Sequence, residues 1–363
     1  MSGLSKARVV VAGGGALGSC IALQLAWAGA QVTLADPSVN GHNASGVAAG
    51  MLAPALEYAL DPEAGLPFAL LRAARELWVP LAERLGRESL GLQADGGLWL
   101  DLPGQTPRAT AITQTLTAEG AGLAPPPSPT WSAAAEAALF TPEDWRLAPN
   151  LALQALRRAL TEAGGRVAHA AVEDFAAGFA RLSDGERLEA DRLVVATGAQ
   201  GRALAPELAG LIPIRGQILK YPDLRPAPGA PSIRCAEGYA TGGVDGLCVG
   251  ATMEVGRTDL APDPAVTARL HALAARLYPQ TATMTPQAQV GVRAATPDGP
   301  PLIGPSSVSG VLLAAGARRN GWLLAPFAAQ VIAAHLSGAD PGPYAALFDP
   351  VRGGASRAGG TKQ

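Results

Sequence analysis

The stretch GGGALG places glycines at Gly13, Gly15 and Gly18, and a carboxylate follows at Asp36, eighteen residues beyond Gly18. This is the G-x-G-x-x-G spacing. The first glycine permits a tight turn, the second lets a pyrophosphate approach the backbone, and the third lets a helix pack on a strand. Backbone N–H groups and the positive end of the helix then face the phosphates. A carboxylate at Asp36 can accept from ribose hydroxyls, which favours an unphosphorylated ribose and so FAD or NAD before NADP. The bland alternative is a glycine-rich turn in a helix-packed sheet. A second stretch, GARRNGWLLAP from Gly316 to Pro326, sets Arg318, Arg319 and an Asn-Gly pair inside an otherwise apolar run. Two cations at a junction between an apolar strand (VLLAAG) and a helix beginning near Trp322 suit a site where negative charge must be held.

The elements that must position these residues are legible. Arg8 to Ala12 (RVVVA) is a continuous apolar run, as for a parallel strand covered on both faces. Leu17, Ile21 and Leu25 recur every four residues as the core stripe of a helix that should end near Gly29, and Gln31 to Ala35 (QVTLA) reads as a second strand. DRLVVATGAQG, Asp191 to Gly201, is an apolar strand ending at Ala196, Thr197 and Gly198, a later return to the same sheet. Pro149 opens a helix with Leu156 and Leu160 on one face, closed by Gly164 and Gly165. SDGE at Ser183 to Glu186 reads as a hairpin turn. GGLWLDLP and LCVGATM suit strands of another sheet, and NASGVAAGMLAP, Asn43 to Pro54, is a run of small residues that lets backbone approach a ligand closely.

Composition narrows the classes. At 363 residues the chain suits two domains, and a formal net charge of -2 with pI near 6.1 offers no basic field for nucleic acid. Cys20, Cys235 and Cys248 are odd in number and lack metal-ligand spacing, which favours a reduced compartment and a cytoplasmic location. His42, His169, His271 and His335 are scattered without i, i+4 pairing, so no metal is implied. The apolar run Val9 to Ala30 is broken by Gly13 to Gly15 and lacks flanking basic residues, so it reads as soluble structure and no membrane contact is implied. APPPSP (Ala124 to Pro129) and RPAPGAP (Arg225 to Pro231) read as loops, and the C-terminal RGGASRAGGTKQ as a frayed tail.

The fingerprint Gly13 to Gly18, GMLAP at Gly50 to Pro54, ATG at Ala196 to Gly198, GATM at Gly250 to Met253, and GVRAATPDGPPLIG followed by RNGWLLAP together resemble the D-amino acid oxidase group of FAD-dependent oxidoreductases. Within that group the chain looks most like the glycine oxidases of thiamine biosynthesis. The resemblance covers nearly the whole chain and implies an α/β protein: a Rossmann-like FAD-binding domain built from discontinuous segments, plus a substrate domain with a large mixed, mostly antiparallel sheet. It assigns residues 1–88, 148–214 and 291–363 to FAD and 89–147 and 215–290 to substrate. It places Ala16, Leu17, Asp36, Pro37, Ala44, Ser45, Ala49, Gly50 and Met51 around FAD, with Thr197 and Gly198 in the returning strand. Val172 would lie on the adenine side, and Ala317, Arg318, Arg319, Asn320, Gly321, Trp322 and Leu323 along the isoalloxazine ring. Some relatives attach their flavin through a cysteine; Arg293 to Gly304 contains none, which implies noncovalent FAD.

At the substrate end, Arg293 matches the family's carboxylate-binding arginine, a role suited to a planar guanidinium that donates two parallel hydrogen bonds. The plain alternative pairs Arg293 with Asp298. Tyr239 matches a tyrosine supporting the same carboxylate, Met253 a residue of the pocket wall, and Arg319 the second active-site arginine. Arg318 departs from the family pattern, with a solvent-facing side chain or an altered substrate preference as the alternatives, and Glu237 occupies a lid position where the familiar pattern has histidine. The activity implied is oxidation of glycine, sarcosine and small D-amino acids to the 2-oxo acid, ammonia and H2O2, with O2 as co-substrate, by a homo-oligomer such as a tetramer. A dehydrogenase passing electrons to another acceptor, a module of tRNA modification and a noncatalytic flavin protein are the competing readings.

Overall fold

The computed structural model describes residues 4–38, 43–127, 134–176 and 178–352. His42, the end of APPPSP and nearly all of the C-terminal RGGASRAGGTKQ lie outside these residues. The chain divides into two compact units, Met1–Asn40, Leu156–Ile212 and Ala294–Gln363 in the first, Gly41–Ala155 and Pro213–Arg293 in the second.

The first unit is built on a six-stranded sheet in the order Leu302–Pro305, Val311–Ala315, Arg192–Val195, Arg8–Ala12, Gln31–Ala35, Arg166–Ala168. The Leu302–Pro305 edge runs antiparallel to its neighbour, and the other pairs are parallel. Register is tight at one end: Ala12 lies opposite both Ala35 and Val195, Ala35 opposite Ala168, and Val195 opposite Leu313. The strands therefore finish in a row, and the segments leaving their carboxyl ends emerge side by side, where α/β sheets bind ligands. Val9 to Ala12 are at most 2% exposed, as the continuous apolar run requires of a strand covered on both faces. The following helix, Ala16–Trp27, packs against the sheet and against the C-terminal helix Gly321–Ser337. It is buried on nearly all sides and not along one stripe, since it lies between two partners; Ile21 and Leu25 are fully buried and Leu17 partly so. The expected hairpin at Ser183 to Glu186 joins Phe179–Leu182 to Arg187–Glu189.

The second unit carries an eight-stranded sheet in the order Glu254–Val255, Ile212–Tyr221, Gly246–Gly250, Gly238–Gly243, Ser232–Cys235, Gly97–Asp101, Ala137–Thr141, with Gln287–Ala295 also paired to Ile212–Tyr221. Of the registered pairs, Ser232–Cys235 with Gly97–Asp101 is parallel and the others antiparallel. Alternation gives the sheet two characters. Leu98, Leu219, Ile233, Ala240, Leu247 and Val249 form an apolar face packed on Leu270, Leu273, Ala274 and Leu277 of the helix Pro264–Leu277. The opposite face carries polar side chains, among them Ser232, Arg234, Tyr239, Thr241 and Lys220.

Packing groups residues 41–88 with this second unit, although the resemblance assigns them to cofactor binding. The reason is an apolar cluster in which Ala55, Leu56 and Phe68 pack with Trp99, Ile112 and Leu116. Burying such side chains contributes about 1.5–3 kcal/mol each, which ties the segment to the strand carrying Trp99. Among the described residues no helix is long and apolar enough to cross a membrane.

Candidate active site

In the first unit the glycine turn is shaped as its spacing requires. Gly13 has φ 98°, and a Cβ there would collide with the carbonyl oxygen of Ala196; a Cβ on Gly18 would collide with that of Gly13. Only glycine lets strand, turn and helix approach this closely. The helix begins at Ala16 after an extended Gly15, with no side-chain cap at its N-terminus. Ser19 ties its hydroxyl to the Gly14 carbonyl at 3.1 Å.

Asp36 stands at the end of the neighbouring strand, 5% exposed. Its carboxylate receives Ser38 Oγ at 2.7 Å and Arg157 Nη2 at 2.5 Å. Neither partner stood out in the sequence, because nothing local marks a residue on the helix Pro149–Glu162 as a neighbour of Asp36. The connection arises only once Arg166–Ala168 pairs beside Gln31–Ala35. Pro37 is exposed. Thr197 turns its hydroxyl to the Gln200 carbonyl at 2.6 Å, and Gly198 has a left-handed φ of 64°. Val172 is 7% exposed and packs in the core with Ala35, Ala168 and Leu182.

The stretch after Val311–Ala315 is held by backbone bonds. Ala317 bridges Ala295, and Arg318 N donates to Ala294 O at 2.8 Å while adopting φ 50°, a region L side chains rarely occupy. Asn320 N donates to Ala317 O at 2.8 Å, and the helix starts at Gly321, one residue before the expected Trp322. Arg318 and Arg319 are half-buried, and Trp322 and Leu323 buried. Asn320 is 2% exposed, and its Oδ1 receives no hydrogen bond among the described residues. A buried acceptor without a donor is costly unless a ligand supplies one. This atom, with the close-approach glycines at the sheet end, fits a bound dinucleotide.

In the second unit, Asn43 caps the short helix Ala44–Val47 by accepting from Ser45 N and Gly46 N, both at 3.0 Å. Ala49, Ile218 and Cys248 form a small cluster joined by Val47, Met51, Tyr239 and Ala251, so residues from distant parts of the sequence meet here. Lys220 Nζ reaches Gly46 O at 3.2 Å. Burial pushes the Cys248 thiol up to about 11, so it remains neutral and is no nucleophile. Gly50 has φ 76°, and its carbonyl accepts from Leu147 N at 2.9 Å.

Tyr239 lies opposite Gly250, which in turn lies opposite Ile218. Residues in direct register share a sheet face. A Cβ on Gly250 would sit 2.6 Å from the Tyr239 hydroxyl oxygen. A Cβ on Gly216, two residues before Ile218 and so on the same face, would collide with Nη2 of Arg293. The two glycines thus make room for a guanidinium and a phenol on one face, as diagonal neighbours about 7–8 Å apart at their Cα atoms. Gly216 gives no local signal in the sequence. Arg293 Nη2 also donates to Thr252 O at 3.0 Å. Asp298, the carboxylate weighed as its partner, accepts from Arg352 at 2.8 and 3.0 Å. Met253, expected to shape a pocket wall, is 38% exposed. Glu237 accepts from Gln105 at 2.7 Å and Arg276 at 2.8 Å; burial pushes its carboxyl up, but these bonds outweigh it and hold the group below its ordinary range. Among the described residues no three His, Cys, Asp or Glu side chains gather where they could hold a metal.

The family model for FAD dependent oxidoreductases (DAO) matches residues 8–335. A glycine oxidase from Pseudomonas aeruginosa is 31% identical, the match covering 93% of this chain and 98% of the relative. The bifunctional protein ThiO/ThiG of Nostoc sp. is 30% identical over 90% of this chain and 52% of its own length. Among solved structures, glycine oxidase from Geobacillus kaustophilus superposes with TM-score 0.79 at 23% identity, covering 96% of this chain and 99% of that one, a likeness of fold. With the glycine turn, the strand-end carboxylate and the family match in agreement, the chain belongs to the DAO family of FAD-dependent oxidoreductases and is an enzyme of amine oxidation.

Proposed function

We propose that this enzyme oxidises glycine and other small amines, including sarcosine and small D-amino acids, to the 2-oxo acid, H2O2 and ammonia, or methylamine in the case of sarcosine, and that it serves thiamine biosynthesis. The observation that carries the reading is the shared face on which Arg293 lies over Gly216 and Tyr239 over Gly250. Arg293 offers a planar fork to a carboxylate, and the Tyr239 hydroxyl adds a donor to the same group. Fixing the carboxylate fixes the direction of the adjacent Cα–H bond, and such orientation contributes much of the rate in a reaction that needs little acid–base help from the protein. Met51, Ile218 and Ala251 set apolar surface around Tyr239, which suits a substrate with little or no side chain.

In the first unit FAD would be held by the Gly13–Gly18 turn, Asp36 and the 317–323 stretch, and when bound it would supply the two-electron acceptor that O2 restores with release of H2O2. The amine donates from its neutral form, giving up a proton to water. Hydrolysis of the resulting imine yields the 2-oxo acid and ammonia, or methylamine where sarcosine is the substrate. The likeness to the ThiO/ThiG protein supports the thiamine role. Noncovalent attachment is supported by the absence of cysteine from Arg293 to Gly304.

A panel of glycine, sarcosine and small D-amino acids, followed by peroxide release, tests the proposal. Flavin bleaching with glycine and stoichiometric H2O2 is the expected result. Bleaching without peroxide but with dye reduction would make the enzyme a dehydrogenase, and no bleaching with any member would overturn the substrate assignment.

A further inference from the structure

The nucleotide end carries a cation that the glycine motif does not call for. Arg157 reaches from the helix Pro149–Glu162, whose Leu156 and Leu160 are fully buried and fix its backbone against the core. Its Nη2 lies 2.5 Å from Asp36 Oδ2 and 3.3 Å from the Gly14 carbonyl oxygen, so one guanidinium nitrogen ties the strand-end carboxylate to the glycine turn. Ser38 completes the shell, donating from Oγ to both carboxylate oxygens at 2.7 Å and from N to Oδ1 at 3.2 Å. The Arg157 side chain is 17% exposed, and its Nε is buried without a hydrogen-bond partner among the described residues. Without Arg157, Asp36 would be a buried charge with no cation paired to it among the described residues.

We propose that Arg157 is a positioning residue for the adenosine half of the dinucleotide: it clamps the Asp36 carboxylate against the glycine turn in the orientation that receives the ribose hydroxyls. This rests on the reading of the glycine turn as the FAD site. A residue acting there affects ligands that possess an adenosine and spares those that lack it.

The test is titration of the deflavinated full-length protein with FAD and, separately, with FMN, which lacks the adenosine, followed by flavin fluorescence. For Arg157→Met the FAD dissociation constant rises about tenfold or more, the scale of one charge-assisted hydrogen bond, while that for FMN stays within about twofold. Arg157→Lys restores part of the loss. The double variant Asp36→Asn, Arg157→Met binds FAD no more weakly than Asp36→Asn alone, because the two residues act as one unit. Unchanged FAD binding, equal weakening of FAD and FMN, or losses that multiply in the double variant would each overturn the proposal. Should Arg157→Met fail to fold, Arg157→Lys and Arg157→Gln carry the same comparison. A wild-type apoprotein that binds FMN as tightly as FAD would instead remove the adenosine reading of the glycine turn, and the role of Arg157 with it.

Discussion

Arg293 gains its proposed role from what stands beneath it. Gly216 leaves the sheet surface bare, and any side chain there would occupy the space of the guanidinium. Arg293→Ala should therefore raise the glycine concentration for half-maximal flavin reduction by about two orders of magnitude or more, since two charge-assisted bonds of about 1.5–3 kcal/mol each are lost. Stopped-flow reduction measures this, and the same variant should retain its FAD. Loss of flavin together with loss of substrate binding would point to a structural role. The residue scale also shows what the sequence discloses. Gly13, Gly18 and Asp36 are legible because a turn and the strand beside it constrain neighbours in the chain. Arg157 and Gly216 are not, because each matters through a partner 121 and 77 positions away, Asp36 and Arg293 respectively.

At the scale of elements, the helix Pro54–Leu60 starts on a buried acid. Asp144 accepts from Ala55 N at 2.9 Å and Leu56 N at 3.2 Å, with Arg234 and Glu57 paired nearby at 2.6 Å. Burial pushes the Asp144 carboxyl from 3.8 to about 7, against the pull of Arg234 and the two N–H donors. Between those values the folded protein keeps a proton that the unfolded chain gives up. The stability Asp144 contributes is thus fullest below about pH 4 and declines as pH rises towards 7. Urea unfolding of wild type against Asp144→Asn, from pH 4 to pH 8, should show the wild type losing ground to the variant across this window and a constant difference above it. A difference independent of pH would place the proton elsewhere. The strands and helix around the glycine turn and the helix from Pro149 could be read from apolar runs and glycine breaks, whereas this acid could not: its burial follows from the pairing of Gly97–Asp101 with Ala137–Thr141, far along the chain from the helix it caps.

For the molecule as a whole, the two sheets were foreseeable as types, one mostly parallel and one mostly antiparallel. The grouping of residues 41–88 was not, because it depends on an apolar cluster around Trp99 and not on the small-residue run from which a ligand contact was expected. Flavin held by such contacts alone should leave the protein with acid: precipitation is expected to give a white pellet and a yellow supernatant, and a yellow pellet would show a covalent link.

The parallel sheet has a further consequence, for synthesis. Arg8–Ala12 finds its neighbour Gln31–Ala35 early, but its other edge waits for Arg192–Val195, and the helix behind it waits for Gly321–Ser337. At ribosomal rates of about 5–20 residues per second, that first delay alone lasts about 10–40 s. Throughout it the nascent N-terminus presents an unpaired apolar strand edge, the feature that invites aggregation and chaperone capture.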